Sequence, residues 1–195
     1  MMNKVLCSLL LFLSISCGLQ GRNANYARDS KRIWLDSKEI HHGEYVWKMK
    51  KAGDVISSAE KVSSLGYDTS DWLSAIVPGT VLNSLVYNKE YPEPYYGVNN
   101  KLESGKIPDI SKVGREFYTY WFRTEFDVPE SFAGKTIWLQ PDGVNYRAEI
   151  WVNGNLLSTL NGMFISDYIN VTDFVKVGRK NILAVKVYPV DVPGT

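Results

Sequence analysis

Cysteine is nearly absent from this chain. Its two copies, Cys7 and Cys17, both fall within the first seventeen residues. No disulfide can therefore staple the domain that follows, and packing has to hold it together. Charge of one sign is lacking as well. The 22 basic and 21 acidic residues give a formal net charge of +1, without the clustered basic patch of a nucleic-acid footprint. The only two histidines are the neighbours His41 and His42. Adjacent residues on a strand point to opposite faces, and no Cys or acidic cluster accompanies them, so they read as a surface pair rather than a metal site. No Gly-rich phosphate loop, triad-like arrangement, internal repeat or low-complexity tract is present. Nothing in the sequence asks for a cofactor.

What is there begins with a short apolar run. Lys4 supplies a positive start, Val5 to Ile15 form a mostly apolar run broken only by Ser8 and Ser14, and Ser16-Cys17-Gly18 follows. This is the pattern of a secretory signal over residues 1–17, too short for a spanning helix. Its end is similar to a bacterial lipobox, with Leu13 one place early and Ser14 at the usual leucine position. Cys17 is thus a candidate lipid-attachment residue. The chain is expected to be exported, either as an outer-membrane lipoprotein or released into the periplasm. The anchor would be its one membrane contact. Residues 18–31 are polar and read as a tether, and residues 32–195 as one domain, large enough to bury a core.

Within that domain the pattern is β. Tyr146, Ala148, Ile150 and Val152 alternate with polar residues and run into Asn153-Gly154. That dipeptide favours a type I′ hairpin turn, because both central positions need a positive φ. Tyr45 to Met49, Lys135 to Gln140 and Asn181 to Tyr188 read as further strands, the last with Leu183, Val185 and Val187 inward. Glu116 to Val128 reads as one long strand. Tyr118, Tyr120, Phe122 and Phe126 take one face, and Thr119, Trp121, Arg123 and Glu125 form a mixed face open to solvent or a domain contact. Trp72 to Val77 reads as a strand leading to a helix capped by Thr80. Val55 to Leu65 fits a short helix that a turn soon closes, and Thr172 is placed to cap a single helical turn. Seven or eight such strands with closely spaced turns predict an all-β fold, an antiparallel jelly-roll β-sandwich. Trp138 and Trp151 are assigned to core or domain-interface packing.

Tyr91-Pro-Glu-Pro-Tyr-Tyr-Gly-Val-Asn-Asn100 is the least regular stretch. Its prolines keep it out of a sheet, so Tyr95, Tyr96 and Asn99 sit on a stiff loop. Aromatics make up 13% of the chain. They suit a pleated core, and they also suit stacking on the apolar C–H face of a sugar ring. Glu125-Phe-Asp127-Val-Pro-Glu130 matches a Glu-x-Asp-x-x-Glu spacing found on the catalytic strand of some jelly-roll glucanases. Pro129 ends the strand before Glu130, so the motif reads as a solvated strand end rather than a cleft wall. Asn170-Val-Thr172 fits a glycosylation sequon but is better read as a helix cap.

Taken in order, several segments resemble the N-terminal sugar-binding domain of glycoside hydrolase family 2, in its exo-β-glucosaminidase and β-mannosidase branch. They are Gly66 to Trp72, Val77-Pro-Gly-Thr-Val-Leu82, Tyr91 to Gly97, Phe117-Tyr-Thr-Tyr-Trp-Phe-Arg123, Gly143 to Gly154, Val171 to Val175 and Asn181 to Val187. The resemblance implies a galactose-binding-domain-like jelly roll that packs on the catalytic barrel of the same enzyme. The retaining glutamate pair would lie on that barrel. No barrel is contained in these 195 residues, so the chain is not expected to hydrolyse anything alone. It further implies contacts to a terminal β-linked hexose or hexosamine from loops near the barrel. Asp191, just past the last strand, is the first candidate by position, with Tyr95, Tyr96 and Asn99 after it. An independent carbohydrate-binding module and a protein-interaction sandwich are the competing readings. The stop at Val192-Pro-Gly-Thr195 straight after a strand favours a piece of a larger enzyme.

Overall fold

Among the described residues the chain forms ten strands, where the sequence reading expected seven or eight. They are β1 (Phe12–Gly18), β2 (Lys31–Trp34), β3 (Trp47–Lys51), β4 (Leu73–Ser74), β5 (Tyr120–Asp127), β6 (Thr136–Gly143), β7 (Arg147–Val152), β8 (Asn155–Asn161), β9 (Ile169–Asn170) and β10 (Lys180–Tyr188). Three short helices intervene, α1 (Ala59–Val62), α2 (Val81–Tyr87) and α3 (Ile110–Val113). This computed structural model describes residues 12–18, 31–40, 43–163 and 165–190. His41, His42 and Asp191 lie outside the described residues.

The strands form two antiparallel sheets, one of four in the order β2-β1-β6-β9 and one of six in the order β4-β3-β5-β10-β7-β8. Trp47, Met49, Phe122, Phe126, Ile150, Leu183, Val185 and Val187 of the larger sheet close over Ile137 and Leu139 of the smaller one. Each fully buried side chain of this size contributes roughly 1.5–3 kcal/mol. The expected antiparallel β-sandwich is the observed fold. The hairpin forms as expected, with Asn153 at φ 49° and Gly154 at φ 87°. Thr80 caps α2, its hydroxyl accepting from the Asn83 amide at 2.8 Å.

Four local readings change. Arg115–Tyr118 is a 3-10 turn, so β5 begins only at Tyr120, though Tyr118 stays buried. Most of the mixed face of β5 is covered by the chain's own segment 52–72, which packs Val62 and Trp72 on Trp121, Trp151 and Ala184, while Glu125 at its end stays partly exposed. The strand foreseen over Trp72 to Val77 shrinks to Leu73–Ser74. The Thr172 hydroxyl does not cap its own turn but accepts from the Ile137 amide at 2.9 Å, and the Asn170 carboxamide accepts from the Thr172 amide instead. Trp151 is buried as foreseen, and Trp138 is half-buried.

In the whole chain before any processing, the segment read as the end of an export signal is a strand. β1 lies between β2 and β6, with Ile15 opposite Ile33 on one side and Leu139 on the other.

Candidate ligand-binding end of the sandwich

One end of the sandwich gathers aromatic and charged side chains. There β5 begins and β10 finishes, with Tyr120 opposite Val187. The 143–146 connection closes the same end, the Tyr146 amide donating to the Tyr188 carbonyl at 3.0 Å. On the outer face, strand alternation presents Arg147 and Glu149 of β7 beside Lys186 and Tyr188 of β10, because their register pairs are Lys186–Glu149 and Tyr188–Arg147. The Tyr188 hydroxyl donates to Glu149 Oε1 at 2.5 Å, and Trp151 Nε1 donates to Oε2 at 3.3 Å. The Arg147 guanidinium stands 4.7 Å over the Tyr188 ring, and Lys186 Nζ lies 5.2 Å from it. Burial first, then the hydrogen bond to Glu149, pushes the Tyr188 phenol above its ordinary pKa.

The irregular loop starts from Tyr91, which packs on the main core, and further along the chain Tyr118 Oη donates to the Pro108 carbonyl at 2.5 Å. Tyr95 and Tyr96 are 80% and 77% exposed. Asn99 points the other way, only 6% exposed. Its Nδ2 donates to the Glu93 carbonyl at 2.8 Å, and Oδ1 accepts from Lys106 Nζ at 2.9 Å. The two tyrosines are therefore free to meet a ligand, whereas Asn99 holds the loop's own shape. The Arg147–Glu149–Lys186–Tyr188 cluster was not foreseen. The polar positions of β7 and β10 alternate visibly, but only their register brings the four together.

The opposite end carries an open groove of about 520 Å³ lined by Lys38, Lys48, Arg123, Glu125, Asp127 and Lys180 among others. Two carboxylates of the glucanase-like spacing thus do share a groove. Glu125 is ion-paired on both oxygens, to Arg123 Nη1 at 3.7 Å and Lys180 Nζ at 3.6 Å. Glu130 has left the strand for the 3-10 turn Glu130–Phe132. Among the described residues no group of three or more His, Cys, Asp or Glu could hold a metal ion.

Two antiparallel sheets over one core, with aromatic and charged residues at the end where the last strand exits, define a galactose-binding-like β-sandwich. The chain belongs to the glycosyl hydrolase 2 galactose-binding domain-like family, which it matches over residues 47–191. It is 41% identical over 126 residues to a mannosylglycoprotein endo-β-mannosidase of Lilium longiflorum, covering 65% of this chain and 13% of that enzyme. It is 30% identical over 139 residues to an exo-β-D-glucosaminidase of Amycolatopsis orientalis, covering 70% of this chain and 12% of that enzyme. The solved structure of the exo-chitosanase CsxA from Amycolatopsis orientalis superposes with a TM-score of 0.61 at 27% identity, over 76% of this chain and 16% of that one. The chain thus spans about an eighth of the length of these curated relatives.

Proposed function

We propose that this sandwich is the sugar-binding domain of an exported β-glycosidase, and that it helps recognise a terminal β-linked hexose or hexosamine beside a catalytic barrel carried by the same polypeptide. The observation that carries the reading is the exposed Tyr95–Tyr96 pair on the irregular loop of a domain of this family. Two adjacent phenols offer flat apolar faces for pyranose C–H groups and hydroxyls for hydrogen bonds. The relatives' names, endo-β-mannosidase and exo-β-D-glucosaminidase, support the substrate class. Asp191 follows Tyr188 by three residues and is the further polar contact in this reading. Asn99 acts as the loop's internal tie. Cys17 is the proposed acylation site, which would hold the enzyme at the outer membrane.

Calorimetric titration with β-linked glucosamine and mannose oligosaccharides tests the sugar contact. Tyr95→Ala and Tyr96→Ala are each expected to weaken binding about tenfold with an unchanged unfolding midpoint, in keeping with stacking worth about 1–3 kcal/mol per ring in other systems. Unchanged affinity in both would remove the loop from the site. An immunoblot of source cells tests the enzyme reading. A product several times larger than 22.1 kDa supports it, and a product of domain size supports a stand-alone module.

A further inference from the structure

The outer face of the larger sheet is roofed only in part. Segment 52–72 covers Trp121 and takes two hydrogen bonds from Arg123. With Thr69 at its edge, the groove of about 520 Å³ opens over the remaining face. The floor is a pair of strands. Lys48 lies opposite Arg123 in the β3–β5 ladder, and the Thr124 hydroxyl donates to the Val46 carbonyl at 2.9 Å, holding the lead-in to β3 against β5. Alternation turns Val46 and Lys48 outward beside Glu125 and Asp127. Val46 is 48% exposed and gives the floor an apolar patch.

The charges around that patch divide into used and unused. Arg123, Glu125 and Lys180 hold one another. Glu44, Asp127, Lys38 and Lys48 line the same groove, and their side chains make no hydrogen bond or ion pair among the described residues. Burial first, then the negative charges of Glu44 and Asp127, raises the Tyr45 phenol above its ordinary pKa. Both carboxylates therefore stand near that ring.

We propose that this groove is a second saccharide-binding site, built for a short neutral β-linked oligosaccharide. Neither Tyr95 nor Tyr96 lines it, so it is separate from the loop site. Its ligand class rests on the reading of the domain as sugar-binding. Unpaired carboxylates and ammonium groups are interleaved here, with the signs nearly balanced, so neither a polyanion nor a polycation gains by entering. A neutral polyhydroxyl chain does gain. Each hydroxyl can donate to a carboxylate and accept from an ammonium, and such charge-assisted bonds are stronger than neutral ones. Sugar C–H groups find Val46 beneath them. The volume lies within the range of about 300–1,000 Å³ that small-ligand sites occupy. A site of this kind would hold a stretch of glycan chain, whereas the loop tyrosines are assigned to its terminal sugar.

Amide chemical-shift titration of the 195-residue chain with β-1,4-linked mannotetraose and cellotetraose tests this. Saturable shifts are expected at the Val46, Lys48, Glu125 and Asp127 amides with at least one of the two sugars. Lys48→Gln and Asp127→Asn each remove one unpaired charge and are expected to weaken the affinity read there at least about fivefold. Glu44→Gln, on an exposed side chain ahead of β3, is the further variant should either of these disturb the fold. Tyr95→Ala is expected to leave the groove affinity unchanged. Shifts confined to the Tyr95–Tyr96 loop overturn the groove and leave the loop reading standing. Shifts confined to the groove support it and remove the loop. Groove shifts that all three charge substitutions leave unchanged overturn the assigned residues. Binding of a cationic glucosamine tetramer alone, falling steeply with added salt, overturns the neutral ligand. Silence at both places with both neutral sugars overturns the groove together with the sugar-binding reading.

Discussion

At the scale of single residues, Asn153 has two duties that the Asn-Gly dipeptide shows only in part. Its backbone takes the positive φ of the turn. Its side chain also donates to the Phe174 carbonyl at 2.7 Å and to Asn181 Oδ1 at 2.8 Å, and accepts from the Ile182 amide at 2.9 Å. Asn181, wholly buried, donates in turn to the Lys176 and Arg179 carbonyls and accepts from the Lys176 amide. The pair pins the 174–181 crossing to the hairpin. Asn153→Gly separates the duties, since glycine adopts the turn freely but cannot make the bonds. It is expected to cost roughly 1–3 kcal/mol by urea denaturation, because buried partners are left unpaired. A cost near zero would mean the turn conformation alone matters. Asn181→Ala, which orphans more groups, is expected to cost about 2–4 kcal/mol.

At the scale of elements, the decisive piece is the segment 52–72 that roofs the outer face of β5. Arg123, 3% exposed, holds it down. Its Nε donates to the Val62 carbonyl at 3.0 Å and Nη2 to the Ser64 carbonyl at 3.1 Å, both at the end of α1. Burial lowers the arginine's pKa, opposed by Glu125, and the guanidinium has donors enough for all these acceptors at once. Lysine cannot reproduce that fork. Arg123→Lys is expected to lower stability by about 1–3 kcal/mol and to open tryptic cleavage after Lys61 several-fold faster. An unchanged cleavage rate would show that the aromatic packing of Trp72 on Trp121 holds the roof without it. Here the limit of sequence reading is physical. Period-two alternation assigned Trp121 and Arg123 correctly to one face of β5, but alternation names faces, not what covers them. Their cover is a stretch of weak local preference some 50–70 residues upstream, so a solvent-like face was in fact interior. The hairpin, the Thr80 cap and β10 were legible because their causes are local. Tyr95 and Tyr96 were legible as loop residues for the same reason. The inward turn of Asn99 and the Glu149–Tyr188 pairing depend on tertiary register and were not.

At the scale of the whole molecule, several tyrosines of the sandwich are tuned in one direction. Burial raises the pKa of Tyr45, Tyr91, Tyr120 and Tyr188, and for Tyr120 it reaches about 12 from an ordinary 10. Three of them, Tyr91, Tyr120 and Tyr188, belong to the end where β5 starts and β10 leaves, so that end is where alkaline titration strikes. A phenol whose pKa is higher in the folded state keeps its proton there after the unfolded chain has lost it. Its contribution to stability is thus fully present below pH 10 and is lost as pH rises from about 10 through 12. The upper bound for Tyr120, a shift of about two units, is on the order of 3 kcal/mol. The urea midpoint is therefore expected to be level between about pH 7 and 9 and to fall steeply above 10. Tyr120→Phe keeps the ring in the core and removes the titrating group, so it should leave the midpoint nearly unchanged at neutral pH and make the alkaline fall shallower. Tyr95→Phe, at an exposed ring, is the control and should follow the unsubstituted chain throughout. If Tyr120→Phe and Tyr95→Phe give the same alkaline slope, burial of Tyr120 does not govern the pH limit of the fold, and the strand-exit end is more open to water than its packing implies.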